Sequence, residues 1–123
     1  MRRWRTLRVY VTTADRLATV AASLGTSAAV AANACVTGLL LHQRGNLVEA
    51  ASQLSLSVRS WQKAHIPYEA DQVRMRLAGV LEALGDPTSG NLELSTAQKT
   101  FEHLGAAPEA REAARRLGAT PRS

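Results

Sequence analysis

Cys35, His42, His65 and His103 are the side chains with ligand or nucleophile chemistry to offer, and their spacing decides whether they can use it. The histidines stand 23 and 38 residues apart, with no second histidine or cysteine three or four positions from any of them. Helical metal sites need that spacing to bring two ligands onto one ion. No metal site is expected. Cys35 is the only cysteine, so no internal disulfide can form, and it lies in the apolar run AAVAANACVTGLLL, where a small buried hydrophobe fits better than a reactive thiolate. Glu69 and Asp71 are two residues apart on a helix and do not share a face for paired acid and base work. No GxxxxGK[ST] or GxGxxG occurs, and no serine stands in a nucleophile turn with a base. The chain reads as a non-enzyme without a cofactor.

Charge offers a different chemistry. Of the formal net charge of +5, Arg2, Arg3, Arg5 and Arg8 supply +4, and residues 9–123 carry 11 basic and 10 acidic groups. These four arginines are candidate phosphate contacts. A nearly neutral body argues against nucleic acid as the main partner, since a few phosphate contacts bind weakly at physiological salt. Residues 17–41 contain no charged side chain, but Thr19, Ser23, Gly25, Thr26, Ser27, Asn33 and Thr37 dilute the run. Asp15 and Arg16 stand directly before it, and the Gly25–Ser27 triplet reads as a break between helices. A cytoplasmic protein is expected rather than a membrane one.

The elements that must position these residues are helices. At 123 residues, 46% hydrophobic and only 4% aromatic, the chain suits one domain of closely packed helices better than a sheet protein. The stretch PYEADQVRMRLAGVLEALGD shows why. Val73, Leu77, Val80, Leu81 and Leu84 form one stripe at the helical period, Pro67 suits the first turn and Gly85 the end. Such a helix has a face to bury and needs a partner.

A shift of forty residues supplies it. Trp61 falls on Phe101, Gly38 on Ala78, Gly45 on Gly85, Leu54 on Leu94, Ser57 on Ala97 and Arg76 on Arg116. Each unit reads as a hairpin of a helix A and a helix B. The first has helix A over 28–44 and helix B over 47–64, with Leu47, Ala50, Ala51, Leu54, Val58 and Trp61 inward. The second has helix A over 68–84, a GDPTSGN linker and helix B over 92–104, with Leu94, Ala97, Phe101 and Leu104 inward. Residues 9–24 read as the last helix of a preceding unit and 109–117 as the first of a following one. About six antiparallel helices are expected in a single domain over 9–117, flanked by a basic arm over 1–8 and a disordered tail over 118–123.

A glycine at the A-to-B turn, an alanine five residues later and an aromatic near the end of helix B resemble the tetratricopeptide pattern. More narrowly, Trp61, the run from Pro67 to Asp86, and FEHLGAAPEA from Phe101 resemble the helical region of large actinobacterial LuxR-type transcriptional regulators. The resemblance covers residues 15–117, with Asn46 and Gly90 as mild departures where Asp and Ala are usual. It implies an all-α, tetratricopeptide-like solenoid acting as a protein-interaction or regulatory module. That family's Gly-rich phosphate loop and helix-turn-helix have no counterpart in these residues, so sequence-specific DNA binding is not implied. By the tetratricopeptide register the concave groove is lined by Cys35, Leu39, His42 and Gln43, and by Gln72, Met75, Gly79 and Glu82. The implied partner is a protein or peptide in that groove, with self-association through the apolar ends. Two alternatives stay open: a nucleic-acid-associated regulator fragment using the basic arm, and a non-functional truncated gene product.

Overall fold

The computed structural model describes residues 27–119. These fold into five α-helices: α1 Ser27–Gln43, α2 Leu47–Lys63, α3 Pro67–Ala83, α4 Pro87–Leu104 and α5 Ala107–Ala119. About six were expected. The one read over 9–24, like the Arg2 to Arg8 arm and residues 120–123, lies outside the described residues.

The helices are cut to length by one repeated turn. Gly45, His65, Gly85 and Gly105 have φ of 80°, 59°, 82° and 76°, so a left-handed residue recurs every twenty positions. At each, the left-handed residue's N–H donates three residues back and the next N–H five residues back, as Gly45 to His42 O and Asn46 to Leu41 O. This closes the carbonyls that a helix C-terminus leaves unpaired. The forty-residue sequence repeat is therefore two twenty-residue steps, an A helix and a B helix.

Consecutive helices pack as antiparallel neighbours around an alanine- and leucine-rich core. Ala31, Ala50, Leu54, Ala78, Val80, Leu94, Ala97 and Phe101 are fully buried, and Trp61 is nearly so. Each hairpin crossing closes over one glycine. In the first it is Gly38 on helix A, against Leu54 of helix B; in the second it is Gly90 on helix B, whose absent side chain leaves room for Ala78 O of helix A. Ser57 stands where the next repeat has Ala97. Its buried hydroxyl donates to Ala31 O at 2.7 Å and so carries no unmet polar group into the core.

The GDPTSGN linker is a misreading that the structure corrects. Helix α4 begins at Pro87, five residues before the expected start, so only Gly85 and Asp86 turn the chain. The same residues that look like a loop are helix-start chemistry. Asp86 accepts from Ser89 N–H at 3.1 Å, Pro87 occupies the first turn, and Gly90 is there for a close crossing. Helix α5 also runs past the expected 117, into the stretch read as tail. Leu84 and Leu104, both expected inward, are 39% and 44% exposed because each is the last residue before a left-handed turn.

Candidate interaction surface

The A helices α1, α3 and α5 meet through their side chains. Cys35 on α1 is half-buried; burial pushes its thiol up, Arg76 of α3 pulls it down and Glu69 of α3 pushes it up again. A raised thiol is a poor nucleophile. One repeat on, Arg116 of α5 donates from Nη1 to Met75 O of α3 at 2.8 Å. Tyr68 Oη donates to Glu109 Oε2 at 2.9 Å while accepting from Gln72 Nε2, also at 2.9 Å. The Tyr68 ring stands edge-on to Phe101, with centroids 5.8 Å apart.

The residues expected to line the groove divide into two sets. Leu39 is half-buried, and His42 and Gln43 are exposed at the end of α1. Gln72 and Met75 are half-buried and already engaged, Gln72 by Tyr68 and Met75 by the core around Ala97, Phe101 and Ala110. Glu82 is exposed, and its Cγ lies where a Cβ on Gly90 would meet it at 3.3 Å, so the side chain leans along α4. Arg2, Arg3, Arg5 and Arg8 lie outside the described residues. A shallow groove of about 350 Å³ opens elsewhere, between α4 and α5, lined by residues that include Gln98, Glu102, Ala110 and Arg111. None of the expected residues borders it.

The strongest electrostatic feature was not singled out from sequence. Asp71 on α3 is 3% exposed, with Arg74 Nε at 3.5 Å from its Oδ1 and at 3.7 Å from Glu93 Oε2 of α4. Burial pushes the Asp71 carboxyl up to about 6, while Arg74 and the Thr100 hydroxyl pull it down and Glu93 adds to the rise. Asp71 Oδ2 is buried with no hydrogen-bond partner among the described residues. The signal was faint because the repeat equivalents of Asp71 are Ala31 and Arg111, so position alone gave no hint of burial. Among the described residues no three His, Cys, Asp or Glu side chains converge as a metal site, and no helix is long and apolar enough to cross a membrane.

Comparison of the chain with protein-family models, with curated proteins and with solved structures finds no match.

Proposed function

We propose that the chain is a non-enzymatic, tetratricopeptide-like protein-interaction or regulatory module, related to the helical region of LuxR-type regulators. It docks a peptide or helix on the face shared by its A helices. The observation that supports this is the lateral continuity of α1, α3 and α5, with Leu39, His42 and Gln43 open at one end and Gln72 and Met75 held in the middle. Stacked hairpins present such a face as one surface, which suits an extended partner better than a small substrate.

The test is affinity capture of the tagged chain from its native cell after light crosslinking, with a nuclease-treated sample in parallel. One defined protein should be recovered, and its yield should fall by about tenfold or more with Leu39→Arg or His42→Glu, the loss typical of an interface anchor. Lys99→Glu, on the exposed side of a B helix, should leave the yield unchanged. Recovery that depends on nucleic acid, or that ignores Leu39 and His42, overturns the proposal.

A further inference from the structure

One stripe of α5 lies open along the groove it shares with α4. Ala107, Arg111, Ala114 and Gly118 follow at spacings of four, three and four, which places them on one face of the helix. Ala107 and Arg111 are exposed, Ala114 is half-buried, and a Cβ on Gly118 would meet nothing within 4 Å. The first three, with Ala110, Gln98 and Glu102, line the groove of about 350 Å³. Its shallow shape suits a ridge of side chains better than an enclosed small molecule.

The preceding repeat shows what covers such a stripe. Forty residues back the same positions are Pro67, Asp71, Arg74 and Ala78 of α3, and α4 lies along them. Ala78 O faces Gly90, where a Cβ would come within 3.1 Å of it. Arg74 Nε is 3.7 Å from Glu93 Oε2, and the Thr100 hydroxyl stands at Asp71. Under that cover Asp71 and Ala78 are only 3% and 0% exposed. Leu94, Ala97 and Phe101 supply the apolar side of the covering helix and are fully buried. A B helix antiparallel to its A helix is the shape that fits this position.

Charge fixes the chemistry of the occupant. Arg111 stands where α3 has Asp71, and no carboxylate pairs with it among the described residues. On the opposite wall Glu102 is already answered by Gln98, whose Nε2 donates to Glu102 Oε1 at 3.1 Å. Arg115 is likewise held by Glu112 Oε1 at 2.7 Å. We propose that the α4–α5 groove docks an amphipathic helix of a partner protein, antiparallel to α5, with a small residue at Gly118, an apolar one at Ala114 and a carboxylate on Arg111. The small side chains of α5 let the helices approach closely, and the one ion pair sets the register. The proposal does not depend on the A-helix face described above.

The test uses a peptide of residues 86–105, α4 with its two caps, carrying Glu93→Ala to face Ala114 and Thr100→Glu to face Arg111. A hydrocarbon bridge between positions 92 and 96, both exposed in α4, keeps it helical, since short isolated helices are marginal in water. Thr100→Glu also keeps the peptide from exchanging with α4 itself, where it would set a second carboxylate against Asp71. Fluorescence anisotropy against the full chain should show saturable binding, weakened about tenfold or more by Arg111→Glu. Arg59→Glu, on the exposed side of α2, changes the net charge equally and should leave the affinity unaltered. A second peptide with Thr100→Arg in place of Thr100→Glu should reverse the order and prefer the Arg111→Glu chain. Absence of saturable binding overturns the proposal, as does an equal loss with Arg59→Glu or a second peptide that keeps the order of the first. So does sedimentation of the full chain alone as a dimer that Arg111→Glu dissociates, which would assign the groove to a second copy.

Discussion

At Asp71 burial and charge pull in opposite directions, and burial wins. Its carboxyl titrates near 6 in the folded chain against an ordinary value of 3.8. A raised carboxyl favours the folded state while protonated. Its stabilisation is therefore complete below about pH 4 and is lost as pH rises through about 6, a change of up to about 3 kcal/mol. Asp86 and Glu112, whose carboxyls are held down by Ser89 and Arg115, slope the other way, so the Asp71 contribution must be isolated by difference. Urea unfolding of the chain and of Asp71→Asn at pH 4.5 and pH 7 should show the variant gaining relative stability at the higher pH; an equal difference at both would refute the assignment. His65 holds a second local cost. It alone among the four turn residues is not glycine, and its φ is 59°. His65→Gly should raise stability by about 0.5–1 kcal/mol, since a side chain in the left-handed region costs about 1–2 kcal/mol and glycine returns part of that as chain entropy. A lower thermal midpoint for His65→Gly would mean that its side chain holds a contact that matters.

At the scale of elements, Gly38 of α1 and Gly79 of α3 do opposite work. A Cβ on Gly38 would lie 2.8 Å from both Cγ and Cδ2 of Leu54, which is fully buried and has nowhere to turn. Gly38→Ala should therefore destabilise by about 1–3 kcal/mol despite alanine's better helix propensity. A Cβ on Gly79 meets only Arg116 Nη2, at 3.6 Å, an ordinary contact. Gly79→Ala should stabilise by about 0.5–1 kcal/mol. Denaturant midpoints of the two variants decide the matter, and a shift of the same sign in both would show that crossing distance does not distinguish them. These glycines also mark how far the sequence is legible. Apolar spacing located every described helix, and the forty-residue shift set Gly38 on Ala78, small residue on small, because period and volume are properties of the residues themselves. Gly90 and Pro87 were taken for a loop because turn residues and helix-start residues are the same types. Only the partner helix, which supplies Ala78 O against Gly90, tells them apart. The groove residues were placed on A helices by register, but that Gln72 and Met75 are already engaged depends on Tyr68, Glu109 and Phe101, up to 37 positions away.

Across the whole molecule, stability should run along the chain of hairpins rather than through one shared core. The core around Trp61 joins α1, α2 and α3, while the one around Phe101 joins α4 and α5, with Met75 of α3 packed against it. Stacked units of this kind couple mainly to their neighbours, so damage in one should be felt locally before it is felt globally. Phe101 is fully buried and also carries the edge contact of Tyr68, which in turn holds Glu109. Phe101→Ala should cost about 3–5 kcal/mol, the usual cost of emptying an aromatic site in a core. Its imprint in amide exchange should be uneven. Protection in α4 and α5 should collapse first, with the Tyr68–Glu109 and Arg116–Met75 ties lost together, while α1 and α2 stay near their native protection. Trp61→Ala should reverse the pattern at the other end. A uniform loss of protection from α1 to α5 in either variant would instead mean that the two clusters act as one cooperative core, and that the forty-residue repeat is a feature of the sequence without energetic independence.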